Sequence, residues 1–196
     1  TADSTRLAGT AGLVGSATGV CTFTDCMNRG AINGSPAGGI VGVMGYDTDA
    51  SSFTFVNCHN EGKITDVGTD DTNMPATQVI NFITAIGGIG GFAVDFKTVS
   101  FESCTNKGAV NSTLKATRTK SNGDIVDVYP SAGGIFGTHA RHTNTNANEG
   151  ATVSFTSCVN NGAVDAIYNA GGIMGGSNDG IAAGGTFFIN CTNNAD

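Results

Sequence analysis

The sequence predicts an all-β protein, a parallel β-solenoid of about five coils with three short strands per coil and two long loop insertions. Two observations lead to this fold class. A Phe-x-x-Cys-x-Asn motif recurs five times along the 196 residues, and a glycine-rich apolar segment precedes each copy. The composition agrees, because thirty glycines, no tryptophan and 13% charged residues are typical of short strands joined by tight turns.

The repeat unit is about thirty residues long. Its copies read "FTDCMNRGAI" from residue 23, "FVNCHNEGKI" from 55, "FESCTNKGAV" from 101, "FTSCVNNGAV" from 155 and "FINCTNNAD" from 188. The motif cysteines are 32, 46, 54 and 33 residues apart, so two copies carry insertions. Only stacked units can bury their apolar side chains, which predicts a single repeat domain over residues 1–196. We interpret it as a segment of a longer surface protein, because no polar cap follows the last copy.

Alternation of inward-facing side chains defines the strands of one unit. Phe53 and Phe55 lie on one side of a first strand, and a second strand runs from Cys58 to Ile64. Because Phe55 and Cys58 are an odd number of residues apart, both can face inward only if the chain turns near Asn57. A third short strand contains the glycine-flanked position occupied by Leu13, Ile40, Ile89, Ile135 and Ile173.

Stacking places the motif cysteines in one column inside the solenoid. We expect buried free thiols there, since free cysteine behaves as a small apolar residue, with disulfides between neighbouring coils as the alternative. A metal or catalytic role is disfavoured, because no Cys and His set has zinc spacing and His59 has no counterpart in the other copies. The column consists of Cys26, Cys58, Cys104, Cys158 and Cys191.

The motif asparagines form a second column, which we expect to be an amide ladder at a turn. It consists of Asn28, Asn60, Asn106, Asn160 and Asn193. In four copies a glycine follows two residues later, at Gly30, Gly62, Gly108 and Gly162. We expect these glycines to adopt backbone angles that a β-carbon forbids.

Charge and hydropathy limit the classes of partner. The net charge of −7 and the pI near 4.7 would repel nucleic acid and an anionic membrane surface at long range. No apolar run reaches the roughly 18 residues that cross a bilayer, so no membrane insertion is expected. A glycan or a surface protein is the partner that these properties favour.

The repeats carry a family resemblance. The segments "AGLVG", "GGIVG" and "GGIFG", each followed by C-x-N-x-G-x-[IV], resemble the GLUG-type repeats of bacterial secreted and cell-surface proteins, over nearly the whole chain from about Gly9 to Asn194. The resemblance implies a secreted or cell-surface β-solenoid with an adhesive role and transfers no catalytic residues. The cysteine column, Gly90 and the two insertions depart from the usual repeat.

The insertions are the candidate binding sites. They run over residues 65–78 and 111–124, at one point of the circuit, so successive coils should hold them side by side. A binding platform and tolerated surface decoration are both open interpretations. The polar residues that would contact a ligand are Asp70, Asp71, Lys115, Arg118 and Lys120.

Calcium is the one cofactor that the sequence raises. Asp66, Asp70, Asp71 and Asn73 place several oxygen ligands within eight residues, as hard cations require. Their spacing matches no EF-hand loop, so a solvated acidic loop is the alternative. No other cofactor is expected.

Three functions compete. A non-catalytic scaffold for adhesion or ligand binding fits the repeats, the acidity and the lack of a catalytic set. A carbohydrate-active β-helix enzyme would need paired acids on one face, and no such pair recurs. An ice-binding solenoid would need a regular hydroxyl array; Thr22, Thr54, Ser100 and Ser154 form one column, but the neighbouring column of Thr24, Val56, Glu102, Thr156 and Ile189 is irregular.

Overall fold

The computed structural model describes residues 9–45, 51–67, 85–113, 116–119, 125–128, 130–140, 150–177 and 184–195. All regular secondary structure in these residues is β-strand. Apart from one antiparallel pair, the strands belong to five successive coils and stack into five parallel sheets, one of four strands and four of five strands. The predicted parallel β-solenoid of about five coils is confirmed.

The strands follow one another in the same order in every coil. Coil 1 contains β1 (Thr10–Ala11), β2 (Val14–Ala17), β3 (Val20–Thr24), β4 (Met27–Asn28) and β5 (Ile32–Asn33). Coil 2 contains β6 (Ala37–Gly38), β7 (Val41–Gly45), β8 (Ser52–Val56), β9 (His59–Asn60) and β10 (Ile64–Thr65). Coil 3 contains β11 (Ala85–Gly87), β12 (Gly90–Val94), β13 (Thr98–Glu102), β14 (Thr105–Asn106) and β15 (Val110–Ser112), and a hairpin of β16 (Ala116–Thr119) and β17 (Ile125–Val128) follows it. Coil 4 contains β18 (Ser131–Gly133), β19 (Phe136–Ala140), β20 (Thr152–Thr156), β21 (Val159–Asn160) and β22 (Val164–Ala166). Coil 5 contains β23 (Asn169–Gly171), β24 (Met174–Ser177), β25 (Gly185–Ile189) and β26 (Thr192–Asn193).

Strands at the same position of successive coils pair in parallel. We name the five stacks sheets A to E in the order in which the chain visits them, so that β6 to β10 lie in sheets A, B, C, D and E. The registers align equivalent motif residues, and Phe55 pairs with Phe101, which pairs with Phe155. The rings stack along the solenoid, with centroids 4.8 Å apart between Phe55 and Phe101 and 5.1 Å apart between Phe101 and Phe155.

Each complete coil has five strands where the sequence predicts three, because two of the predicted strands bend. The segment around Ile40 divides into β6 and β7, and Ile40 lies in the bend between them. The segment from Cys58 to Ile64 divides into β9 and β10, because the Asn60 side chain donates to the carbonyl of Gly62 at 2.8 Å and closes a turn. The bend at Ile40 and the turn at Asn60 thus add two corners to the coil.

The asparagine column forms a continuous ladder at the corner between sheets D and E. The Nδ2 of each asparagine donates to the Oδ1 of the next, at 2.8 Å from Asn60 to Asn106 and at 2.8 Å from Asn106 to Asn160. Asn60, Asn106 and Asn160 are fully buried. Because each amide also binds a glycine carbonyl of its own coil, the ladder satisfies polar groups that would otherwise be buried without partners.

The expectation that the motif glycines adopt forbidden backbone angles is wrong. Positive φ angles of 53° instead occur at the polar corner residues between sheets C and D, which are Asp25, Asn57, Ser103, Ser157 and Asn190. The glycines are constrained by space: a β-carbon on Gly62, Gly108 or Gly162 would overlap the glycine carbonyl of the preceding coil. Close approach of neighbouring coils, and not conformation, therefore requires glycine there.

The core follows the motif columns. Cys58, Cys104 and Cys158 are fully buried beside the phenylalanines, whereas Cys26 and Cys191 of the outer coils are half-buried, and all six cysteines are free. The Cys104 thiol, for example, donates to the carbonyl of Phe55 in the preceding coil at 3.6 Å. The thiols thus contact backbone carbonyls of the adjacent coil.

Candidate binding site

Both long insertions leave the solenoid at the corner between sheets E and A, which we call the insertion corner. The strands before them are paired, with Thr65 opposite Asn111, and so are the strands after them, with Ile86 opposite Ala132. The connections run over residues 66–84 and 113–130. Each begins one or two residues later than the predicted insertion and ends six residues later. Two adjacent coils therefore begin and end their longest connections at neighbouring points.

A buried hydrogen bond joins the starting points of the two insertions. Asp66 is only 3% exposed, and its Oδ2 accepts a hydrogen bond from the Ser112 hydroxyl at 2.7 Å. The backbone N–H of Asp66 also donates to the carbonyl of Asn111 at 2.9 Å. This buried side-chain hydrogen bond thus links the two points at which the insertions leave the sheet.

The calcium candidates are only partly placed. Asp66 lies at the start of the first insertion and binds Ser112, whereas Asp70, Asp71 and Asn73 lie outside the described residues. Within the described part of the chain, no three His, Cys, Asp or Glu side chains come together to hold a metal ion. Calcium binding therefore stays a prediction about the first insertion.

Among the binding-loop candidates, Arg118 is the one whose backbone is placed. It lies in β16, opposite Val126 of β17, in an antiparallel hairpin that extends from Ala116 and Val128 to Thr119 and Ile125. The other candidates, Asp70, Asp71, Lys115 and Lys120, lie outside the described residues. The second insertion thus contains secondary structure of its own, which its sequence did not indicate.

The insertion corner also carries exposed apolar residues that the sequence reasoning missed. Tyr168 is 56% exposed and Ile167 is exposed beside it, in the short connection from coil 4 to coil 5. The N–H of Ile167 donates to the carbonyl of Ser112 at 3.2 Å, next to the start of the second insertion. Val67 is exposed at the start of the first insertion. The signal in the sequence was the pair of large side chains in "DAIYNAGG", at the point where earlier coils insert a loop.

A second group of connections lies at the corner between sheets B and C. Residues 46–50, 141–149 and 178–183 join these sheets in coils 2, 4 and 5, and all of them lie outside the described residues. The cysteine spacing of 54 residues includes residues 141–149 in addition to the second insertion.

His139 lies just before this segment and is buried. It packs edge-on against Phe96 with ring centroids 5.8 Å apart and hydrogen-bonds to Ser177 at 3.1 Å.

The hydroxyl column on the outer face of sheet C has the register that the sequence predicts. Thr22, Thr54, Ser100 and Ser154 follow one another in paired strands, and Phe187 occupies the same position in coil 5. The neighbouring column contains Val56, Glu102 and Ile189 as well as threonines. One charge, at Glu102, and three apolar side chains, at Val56, Phe187 and Ile189, interrupt the two columns, which disfavours a lattice-matched surface.

The cysteine column has no thiol that combines exposure with easy ionisation. Hydrogen bonds with the Cys158 and Cys58 thiols, together with burial, raise the pKa of Cys104. Burial is the largest of the effects that raise the pKa values of Cys26 and Cys191. A hydrogen bond from Cys104 lowers the pKa of Cys58 to about 7, but Cys58 is fully buried. Nucleophilic chemistry needs an accessible thiolate, so the column serves packing.

Comparison of the chain with protein-family models, with curated proteins and with solved structures finds no match. In the described residues, no helix is long and apolar enough to cross a membrane. The fold and the site therefore define the class directly: a parallel β-solenoid in which two adjacent coils carry long connections at one corner.

Proposed function

We propose that the protein is a non-catalytic extracellular repeat scaffold that binds a glycan or a surface protein through its insertion corner. The observation that carries this proposal is the pairing of the two insertion starts, which the bond from Ser112 to Asp66 holds together. Long loops on a rigid base are a common way in which folds position recognition residues. The resemblance to GLUG-type repeats supports a secreted or cell-surface location.

The base of the site is stiff. Sheets A and E, from which the insertions leave, are paired with neighbouring coils on both sides in coils 2 and 3. Binding loses less conformational entropy when the residues around a site are held in place beforehand. A solenoid platform with variable loops therefore suits recognition without catalysis.

The exposed tyrosine of the insertion corner supports a contact role. Tyrosine side chains offer a large and rigid contact area, and tyrosine is enriched among residues that dominate binding energies. Tyr168 lies one coil beyond the second insertion, so a ligand that contacts the loops can also reach its ring. The net charge of −7 favours neutral or basic ligands over polyanions.

A glycan array combined with a loop replacement tests the proposal. Residues 67–84 and 113–130 are each replaced by Gly-Ser-Pro, the sequence of residues 34–36, which makes the equivalent connection between coils 1 and 2. We expect the wild-type protein to bind members of the array and the shortened protein to lose this binding while it keeps its β-sheet circular dichroism. Binding that survives the replacement would place the site on the coil faces and contradict the proposal.

A point variant sharpens the test. Tyr168→Ala should weaken the glycan binding by about tenfold or more. Met27→Ala is the control, because it removes another exposed apolar side chain at a different corner of the solenoid and should leave binding unchanged. Release of reducing ends from the bound glycans would favour the carbohydrate-active enzyme over the scaffold.

A further inference from the structure

Positive charge is concentrated at the corner between sheets D and E. The structure describes four lysine and arginine side chains, and three of them, Arg29, Lys63 and Lys107, follow the asparagine ladder in coils 1, 2 and 3. We name these three residues the basic corner. The protein carries a net charge of −7. The basic corner therefore has the opposite sign to the molecule as a whole.

One carboxylate lies within the basic corner. Glu61 is placed between Arg29 and Lys107, because β9 pairs with β4 on one side and with β14 on the other. Its Oε2 accepts a hydrogen bond from the Arg29 Nε at 3.4 Å, and its Oε1 accepts one from the Lys107 Nζ at 3.3 Å. Lys107 and then Arg29 lower the pKa of Glu61. This corner thus favours an ionised acidic group between its cations.

Lys63 adds a positive charge that Glu61 does not use. In the described residues it forms no ion pair. Its side chain is exposed, and the same position in the neighbouring coils is occupied by Ala31 and Ala109, which leave the space around the ammonium group open. Three cations against one carboxylate give the corner a formal charge of +2. Charge is therefore available for an anionic ligand.

Two other carboxylates lie on either side of this region. Asp25 is at the corner between sheets C and D, where its Oδ1 accepts a hydrogen bond from the Asn57 amide at 2.6 Å. Asp165 is in coil 4, in the strand of sheet E that pairs with β15. Salt screens exposed charges over about 8 Å at physiological ionic strength, so acidic residues farther away act only weakly on a group bound at the basic corner.

Sheet E connects the basic corner to the insertion corner. Lys63 and Asp66, which begins the first insertion, are three residues apart, or about 10 Å along an extended strand. The outward positions between the two corners in coils 1 to 3 are Asn33, Thr65 and Asn111, all at least partly exposed. A ligand at the insertion corner can therefore reach Lys63 across a surface of hydroxyl and amide groups.

The chemistry of this path favours a glycan over a protein. The described residues of the basic corner and of the outer face of sheet E include no aromatic or large apolar side chain, whereas such side chains dominate the binding energy of protein interfaces. Hydroxyl and amide groups can hydrogen-bond to sugar hydroxyls, and lysine and arginine form charge-assisted hydrogen bonds with carboxylates. The net charge of the protein opposes polyanions, so a ligand with one or a few carboxylates fits best.

We propose that the glycan bound at the insertion corner is acidic, and that the carboxylate of one of its sugars binds at the basic corner. The inference rests on the proposed function, which supplies the glycan at the insertion corner. The carboxylate contacts Lys63 and competes with Glu61 for Arg29 and Lys107. Exposed ion pairs of this kind contribute little to stability, so Glu61 can give up its partners at small cost.

Carboxyl reduction of the ligand is the first test. The probes are oligosaccharides that contain a uronic acid, each compared with the same oligosaccharide after reduction of the carboxylate to an alcohol. We expect the wild-type protein to bind the acidic form at least about tenfold more tightly, because reduction removes the charge-assisted hydrogen bonds.

The outcomes separate this inference from the proposed function. If both forms bind equally and the loop replacement abolishes binding, the inference is overturned and the proposed function stands. If no glycan binds, both are overturned. If acidic peptides bind and acidic glycans do not, the basic corner recognises a protein and the inference is wrong.

A lysine variant locates the carboxylate. Lys63→Gln should weaken binding of the acidic oligosaccharide by about threefold to fivefold, the range expected for one exposed charge pair, and should leave binding of the reduced form unchanged. Lys97→Gln is the matched control, because it removes the same charge from an exposed lysine at the start of sheet C. If the two variants weaken binding equally, the effect comes from net charge and the assignment to the basic corner fails.

A glutamate variant should have the opposite effect. Glu61→Gln removes the competing carboxylate and frees Arg29 and Lys107, so the acidic oligosaccharide should bind about threefold more tightly. Glu102→Gln makes the same change in charge at an exposed position of sheet C and should leave binding unchanged. Circular dichroism should match the wild type for all four variants, since their side chains are exposed. Weaker binding by folded Glu61→Gln would mean that Glu61 itself orients the ligand, and would contradict the proposed competition.

Discussion

Coil 3 and coil 5 carry the same motif, but only coil 3 has a neighbour on each side in the described structure. Phe101 is buried between two stacked rings, whereas Phe188 stacks on one ring and is exposed on its other face. Asn106 is likewise buried and Asn193 exposed. The same residue type is therefore core in one coil and surface in another. The motif stabilises the protein through the interface between coils, as expected for a solenoid.

The glycine column should show the largest difference between inner and outer coils. Gly108→Ala places a β-carbon in overlap with the carbonyl of Gly62, and backbone cannot move aside without breaking the coil contact. We expect a loss of at least about 4 kcal/mol in the free energy of unfolding, measured by denaturant titration. Gly30→Ala in coil 1 is the matched control, since its β-carbon would find Asn28 Oδ1 as its nearest neighbour, at 3.7 Å. Equal losses in the two variants would refute the steric explanation.

The asparagine ladder should show the next largest difference. Asn106→Ala removes hydrogen bonds to Gly108 and Asn160 and leaves one N–H of the buried Asn60 amide without an acceptor, while the other still donates to Gly62. The expected cost is about 3 kcal/mol, from the lost bonds and the unsatisfied group together. Asn193→Ala, in the exposed part of the same column, should cost about 1 kcal/mol. The comparison fails if the terminal variant is as unstable as the inner one.

The cysteine column should give a smaller effect. Cys104→Ser keeps two acceptors near the side chain, the carbonyls of Glu102 at 3.5 Å and Phe55 at 3.6 Å. We therefore expect a cost of only about 1 kcal/mol, since the buried hydroxyl can form a hydrogen bond. Cys191→Ser, half-buried in coil 5, should change stability by less than about 0.5 kcal/mol. A thiol reagent should likewise modify Cys191 sooner than Cys104 in the folded protein, and the reverse order would contradict the assigned burial.

Shortening the insertions should have the smallest effect on stability. In the described residues the coils contact each other through their sheets, and the long connections lead from sheet E of one coil to sheet A of the next. Loop closure depends weakly on length, so replacing residues 113–130 alone by Gly-Ser-Pro should change the free energy of unfolding by no more than about 1 kcal/mol. A larger loss would mean that the second insertion packs on the solenoid and supports it.

Much of the fold could be predicted from the repeats, and less of the candidate site. The register of Phe55 with Phe101 follows from aligning the motifs, as does the common corner of the two insertions. The exposure of Tyr168 beside the second insertion could not be predicted, because a tyrosine between two strands is compatible with either face. The bond from Ser112 to Asp66 joins residues 46 positions apart, and no local pattern reveals such a contact.

The sequence by itself determined the solenoid, the number of coils and the columns of phenylalanine, cysteine and asparagine. The physical reason is that like residues at a constant spacing can be buried together only if their units stack. The tertiary structure alone decided that each complete coil has five strands, that the positive φ angles fall on the polar corner residues, and that Gly62 and its equivalents are required by close approach. These features depend on how tightly one coil lies against the next, and that distance exists only once the chain has folded.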